Sequence, residues 1–248
     1  MTYIGNSSRI SPFLIWFCLV IFGLSFCQSQ GKDSIPKSVF VITPRINSAG
    51  HFPFSGALLN KNLNVDLNIF YERNLYGFFI FKSHDIEDSH SYVNYLQPGI
   101  FKKFRLSSKF QLGAFFGYVF SQTSGFRDKD SDYYTAAVAY WTIVDQLKLE
   151  NTALFFDLSQ SVKLANRFLL SYGLKGFKID LYVWHRVVFD ADFHSTSASV
   201  AINFPKVIIT NALSIQTTFS YQGYIARAKP DFALRDGYLF SIAFPLSM

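Results

Sequence analysis

Between residues 62 and 72 the chain reads Asn-Leu-Asn-Val-Asp-Leu-Asn-Ile-Phe-Tyr-Glu. Odd positions are apolar, and the even ones hold Asn62, Asn64, Asp66, Asn68 and Glu72. Side chains alternate across a strand, so this segment has one apolar and one mostly polar face. The period recurs. Leu164, Asn166, Phe168, Leu170, Tyr172 and Leu174 lie opposite Ala165, Arg167, Leu169, Ser171 and Gly173. Phe177, Ile179, Leu181 and Val183 oppose Lys178, Asp180, Tyr182 and Trp184, and Leu213, Ile215, Thr217, Phe219 and Tyr221 oppose Ser214, Gln216, Thr218, Ser220 and Gln222. Twelve strands are expected, near 38–45, 62–72, 75–83, 92–104, 109–121, 132–143, 147–157, 164–174, 177–189, 196–204, 207–223 and 236–247. Most exceed the roughly 5–6 residues of a soluble strand and approach the roughly 9–11 of a tilted membrane-spanning one.

The links between these segments alternate in length. Arg73-Asn74, 105–108, 144–146, Lys175-Gly176 and Pro205-Lys206 are short, whereas 46–61, 84–91, 122–131, 158–163, 190–195 and 224–235 are longer. The short links predict register. A two-residue turn at Lys175-Gly176 pairs Leu174 with Phe177, Tyr172 with Ile179, Leu170 with Leu181 and Phe168 with Val183. A turn at Pro205-Lys206 would pair Phe204 with Val207 and Ile202 with Ile209. A one-residue slip in either hairpin would mix the two faces.

Composition says which solvent the apolar face meets. Half of the 248 residues are hydrophobic, 29 of them Phe, and only 16% are charged, against about 25% in an average soluble domain. That excludes a disordered chain, and the scarcity of Ala, Glu, Lys and Leu repeats excludes a coiled coil. Arg9 precedes the apolar run Phe13 to Cys27, which is followed by Gln28, Ser29 and Gln30. This order makes residues 1–29 a cleaved secretory signal peptide and leaves 30–248 as one domain; the alternative is an N-terminal membrane anchor. Cys27 as a lipid acceptor is opposed by Phe26, where a small residue is wanted. Both cysteines lie in this segment, so the body has no disulfide and no Cys nucleophile. No later run is long enough for a spanning helix. A closed barrel is the sheet that satisfies every backbone group inside lipid.

The whole body resembles bacterial outer-membrane β-barrel proteins of the small porin-like kind, which have short periplasmic turns, long outer loops and an even strand count. The resemblance rests on pattern, with no diagnostic motif. It implies an all-β, closed antiparallel up-and-down transmembrane barrel of twelve strands (ten or fourteen being the alternatives), with both termini periplasmic. The aromatic-rich last strand, 237–247, resembles the one such proteins present to the barrel assembly machinery, although it ends Phe244-Pro245-Leu246-Ser247-Met248. Implied partners are outer-membrane lipid and lipopolysaccharide, with a protein partner as a further option. The body's net charge of +5, the formal +6 less Arg9, is a weak pointer to anionic partners. Nothing suggests nucleic acid, a phosphate loop or a cofactor.

Candidate lumen-lining residues are Asn62, Asn64, Asp66, Asn68, Glu72, Lys109, Arg167, Lys178, Asp180 and Arg186. Both signs are present, so no charge selectivity is read from them. Phe70, Phe79, Phe115, Phe155, Tyr182 and Trp184 are expected to point inward and narrow the channel. A twelve-stranded barrel falls between side-chain-filled barrels of about 8 strands and open porins of about 16. The apolar segment 46–60 is expected either to fold into the barrel mouth as a constriction, or bind a partner, or to pack on the rim. His84 and His90, with Asp85, Glu87 and Asp88, read as a solvated loop and not a metal site, because no ligand spacing fixes a geometry. His185 and Asn166 are weak catalytic candidates. Paired on the outer face, they look like part of the Asn-His-Ser arrangement of outer-membrane phospholipases, in which imidazole is the base for a hydroxyl. Val187 stands where the serine would follow, and Thr196 is the nearest outward hydroxyl, in or beside a loop. His194-Ser195-Thr196 superficially resembles a lipid A deacylase element but lacks its His-x-Ser spacing. The reading therefore favours a narrow diffusion channel for small solutes, then an accessory barrel, and leans away from a lipid-modifying enzyme.

Overall fold

The computed structural model describes residues 38–52, 57–58, 60–91, 93–121, 131–159, 162–189, 193–227 and 236–247. The expected signal peptide lies outside these residues. The strands are β1 (Ser38–Asn47), β2 (Asn64–Arg73), β3 (Tyr76–Asp85), β4 (Tyr95–Arg105), β5 (Phe110–Ser121), β6 (Asp132–Val144), β7 (Leu147–Phe156), β8 (Lys163–Leu174), β9 (Phe177–Val188), β10 (Phe193–Asn203), β11 (Ser214–Arg227) and β12 (Gly237–Ala243), the last continued by Leu246–Ser247. Each pairs antiparallel with the next, and β12 pairs with β1. The result is a closed twelve-stranded barrel, as expected, so the ten- and fourteen-stranded alternatives fall. Two short pairings lie off the ring: His51–Phe52 with Ala57–Leu58, and Val207–Ile208 with the start of β11.

The seam between β1 and β12 differs from the other ladders. It pairs Arg45–Asn47 with Ser241–Ala243 and, separately, Val41–Ile42 with Leu246–Ser247. Between the two runs stand Pro44 and Pro245, which have no N–H to give the ladder. One bond crosses the gap, from the Phe244 N–H to the Pro44 carbonyl at 2.9 Å.

The β8–β9 register matches the expected one, from Leu174 opposite Phe177 to Asn166 opposite His185. Gly176 takes the left-handed position of that turn, at φ 101°. Between β2 and β3 the turn residues are Asn74 and Leu75, both left-handed at φ 53° and 69°.

The expected turn at Pro205-Lys206 does not form. Phe204 N–H still bonds to Thr217 O at 3.0 Å, but the chain then leaves the ladder for a separate small hairpin. Its tip is 209–213, closed by Ile209 N–H to Leu213 O at 3.0 Å and by Thr210 Oγ1 accepting from Leu213 N–H at 3.0 Å. Ile202 consequently pairs with Phe219, not Ile209. Thr210 and Asn211 are the true turn formers. The apolar Val207 and Ile209 only imitate a strand start. Length alternation thus holds for the first four short links and fails at this fifth one.

The inner face carries the packed core. Phe79, Phe81, Tyr95, Phe101 and Tyr134 are buried there, with Phe70, Phe115, Val119, Leu154 and Phe156 against them. Phe156, not Phe155, is the inward ring. Phe155 pairs with Leu164 and Thr135 on the outward parity. The run Leu154-Phe155-Phe156 is apolar throughout and hides the alternation. Outward side chains are exposed and largely apolar, including Tyr76, Ile100, Trp141, Phe168 and Tyr238. Rings gather towards both ends of this face. Phe116, Tyr118 and Tyr133 sit near the long loops, and Phe40, Tyr71 and Phe78 near the short turns.

Gly117 and Gly99 are paired across β5 and β4 under the Tyr134 ring. A Cβ on Gly117 would lie 2.3 Å from Pro98 O and 2.4 Å from the Tyr134 hydroxyl. Gly117→Val is therefore expected to lower stability by about 1–3 kcal/mol, the usual cost of overpacking. The measurement is urea unfolding in detergent, followed by the shift from fast to slow migration of unboiled protein on gels.

Candidate functional site

The lumen has two unlike walls. From β2 to β7 it is aromatic. Phe70 stacks on Phe101 with centroids 5.3 Å apart, Phe101 stacks on Phe115 at 5.3 Å, and Phe79 meets Phe115 at 6.3 Å. Such ring pairs contribute about 0.5–1.5 kcal/mol each beyond their burial. Lys103 reaches into this wall, its ammonium 5.3 Å from the Phe101 centroid and 2.6 Å from the Glu72 carboxylate. The rings close this half of the bore.

From β9 through β12 to β1 most inner positions around the cavity are small or polar, although Tyr182, Trp184 and Leu239 also take inward positions. Arg45, Lys178, Asp180, Tyr182, Ser199, Ala201, Asn203, Gln216, Thr218, Ser220, Leu239, Ser241 and Ala243 surround a cavity of about 200 Å³. Asp180 organises its lower side. It accepts from Ser171 Oγ at 2.5 Å, Asn203 Nδ2 at 2.8 Å and Lys178 Nζ at 2.8 Å. Thr218 Oγ1 donates to Asn203 Oδ1 at 2.8 Å. On the β1 side Ser241 Oγ donates to Asn47 Oδ1 at 2.6 Å, and Asn47 Nδ2 to Asp66 Oδ2 at 2.7 Å.

Ion pairs stand in the interior: Arg45 with Asp66 at 3.9 Å, Lys103 with Glu72, Lys178 with Asp180, and Arg167 with Glu150. Pairing lowers the cost of holding ions away from bulk water.

Of the ten candidate lumen residues, Asn64, Asp66, Asn68, Glu72, Arg167, Lys178, Asp180 and Arg186 occupy inward strand positions. Arg186 lies over the Phe156 ring at 5.3 Å. Asn62 and Lys109 lie beyond the strand ends. Asn62 donates to Asp85 Oδ2 at 3.0 Å, and exposed Lys109 reaches the Ile143 carbonyl at 3.5 Å. The candidates omitted Arg45, Lys103, Glu150 and the serine-rich wall. That wall was visible in the alternation of Ser197, Ser199 and Ala201, and of Gln216, Thr218, Ser220 and Gln222.

The segment 46–60 begins as the last two residues of β1 and is then anchored near its ends. Asn60 Oδ1 accepts from Gly50 N–H at 2.7 Å, while Asn60 Nδ2 donates to Asp85 Oδ2 at 2.6 Å and Ser91 Oγ at 2.9 Å. Asn94 Oδ1 accepts from Asp85 N–H at 2.6 Å. The Asp85 carboxylate also caps Glu87 and Asp88 N–H groups, so the acidic residues near His84 and His90 shape the β3–β4 loop. His90 itself contacts Ser89 and Asp88.

On the outer face, Asn166, His185 and Thr196 form one row across β8, β9 and β10. Thr196 is a strand residue, not a loop residue, and its hydroxyl lies 2.9 Å from His185 Nδ1. Asn166 turns the other way, to Asn151 at 3.2 Å and Thr152 O at 3.4 Å. The row therefore holds an imidazole and a hydroxyl without an amide orienting the ring.

No family model matches the chain, and no curated protein does. Solved structures match its fold. The NanC porin aligns with a TM-score of 0.56 at 8% identity over 84% of this chain and 100% of that one. The KdgM porin aligns at 0.55 and 10% identity over 86% and 99%. An outer membrane channel from Pseudomonas putida F1 aligns at 0.54 and 11% identity over 89% and 100%. At such identities the likeness is one of fold: the twelve-stranded ring has the same barrel architecture as these outer-membrane proteins.

The paired interior ions make a direct test. Glu150→Gln leaves the Arg167 guanidinium, 9% exposed, without its carboxylate. The loss of a charged hydrogen bond of about 1.5–3 kcal/mol is expected to lower the urea midpoint in detergent. Glu150→Gln with Arg167→Met should recover part of it.

Proposed function

We propose that this chain is an integral outer-membrane channel through which small solutes diffuse passively. The observation that carries this reading is the two-faced lumen. Aromatic rings fill the β2–β7 side, whereas serine, threonine and amide side chains keep a cavity open along β9–β12 and β1. A barrel that served only as a scaffold has no need of a polar cavity inside its wall. The bore is narrow, because half of its cross-section is packed.

The apolar outward face and its two aromatic bands support a position in lipid. Both β1 and the last strand have their free ends on the side of the short turns. In outer-membrane barrels that side faces the periplasm, which supports a periplasmic position for both termini. Outer-membrane lipid and lipopolysaccharide then contact the outer face, and the barrel assembly machinery receives the last strand. The His185–Thr196 pair supports a weaker second reading, a lipid-modifying surface. Hydrolysis of a phospholipid or ester substrate in mixed micelles, lost in His185→Ala, is the result that would favour it.

The channel reading is tested in planar bilayers. The purified protein is expected to give small, stable conductance steps. Phe101→Ala together with Phe115→Ala removes two stacked rings and should raise the step by about twofold or more, since the vacated ring volume enlarges a bore otherwise closed on that side. Absence of any step in both proteins would remove the proposal.

A further inference from the structure

The cavity of the polar wall has a definite chemistry. Its lining offers hydroxyls from Ser199, Thr218, Ser220 and Ser241 and amides from Asn203 and Gln216. Each of these groups both donates and accepts hydrogen bonds. Gln216 and Ser220 make no side-chain hydrogen bond to protein among the described residues. The charges nearby are cancelled at short range, Lys178 by Asp180 at 2.8 Å and Arg45 by Asp66 at 3.9 Å. An anion or cation entering here would lose water and meet no unpaired countercharge. A solute that carries many neutral donors and acceptors meets a matching partner at each position. Space comes from Ala201 and Ala243, and Tyr182 presents a ring at the side. About 200 Å³ suits a compact solute of monosaccharide size.

We propose that this cavity is a binding site for a neutral polyhydroxylated solute of monosaccharide size, a sugar or sugar alcohol held in transit. The proposal rests on the channel reading and names its substrate class. Vicinal hydroxyls of such a solute have spare donors and acceptors on adjacent carbons. The row Asn203–Thr218–Ser241 runs across three neighbouring strands. It sets polar groups side by side at the strand spacing of about 4.8 Å, and Gln216 and Ser220 flank Thr218 on the same face of β11, so one solute spans several of them.

The experiment uses the full chain in two settings. In planar bilayers, glucose is titrated against the ionic current. In detergent, labelled glucose is measured by equilibrium dialysis. The expected result is saturable block in the millimolar range and saturable retention in dialysis. Gln216→Leu with Ser220→Ala should raise the half-blocking concentration about tenfold relative to its own sugar-free current, the equivalent of two modest hydrogen bonds. Ala201→Leu, which fills the cavity, should abolish retention while the protein keeps its heat-dependent migration. A current that falls only linearly with glucose, as viscosity alone dictates, with no retention in dialysis, overturns the proposal. Stronger block by gluconate than by glucose overturns its neutral class. Retention of glucose by a protein that gives no conductance would overturn the channel reading and leave the binding site standing.

Discussion

A closed sheet has two faces and no edge, so every side chain of a strand goes either into the lumen or outward. Most backbone groups of the ring are used up in ladders, and the main remaining freedom is which residue type takes which face. Much of this molecule follows from that restriction. The apolar excess is divided in two: one part coats the outside, and the other is forced into a bore it then obstructs. Phe70, Phe79, Phe101 and Phe115 interlock because the parities of β2 to β5 all direct them to the same side. Ions that share the bore have less water around them than at an open surface, and Arg45, Lys103, Arg167 and Lys178 each stand beside an opposite charge.

The asymmetry of the lumen is a matter of volume as well as polarity. On β10 to β12 the inward positions around the cavity are Ser, Ala, Asn, Thr and Gln with Leu239, whereas on β3 to β6 they include Phe and Tyr. A ring of equal-sized residues would either close such a barrel or leave a central hole. Unequal walls shift the free space off the axis and give it the chemistry of the small side. The free space is thus bounded by three or four strands, while the others form a packed buttress. Asn60, pinned to Asp85 and Ser91, joins the first long loop to the second at the top of that buttress.

The strands, their order and most parities were legible because period two survives wherever one face is polar. Asn64, Asp66 and Asn68 mark β2 without ambiguity, and Lys175-Gly176 fixes the register of β8 against β9. Legibility failed where both faces are apolar. Leu154, Phe155 and Phe156 carry no alternation, so Phe155 was expected inside and Phe156 takes the place. It failed again at Pro205, where a proline beside a lysine imitates a turn and the true one lies at 209–213. The candidate lumen set favoured charged residues and overlooked the serine ladder, since single hydroxyls are common on any strand. Only the closed ring shows that those hydroxyls face one another across a common space. Arg45 and Lys103 were hidden for another reason. Pro44 interrupts the alternation around the first, and the second follows Lys102, which has the same charge and the opposite parity.

The join between the first and last strands carries its own consequence. The other walls of the ring are longer ladders, but this one is two short runs separated by Pro44 and Pro245. A zipper parts where its teeth are fewest. The two prolines therefore place the weakest stitch of the finished cylinder at its point of closure, and the cylinder has a built-in direction in which to come undone.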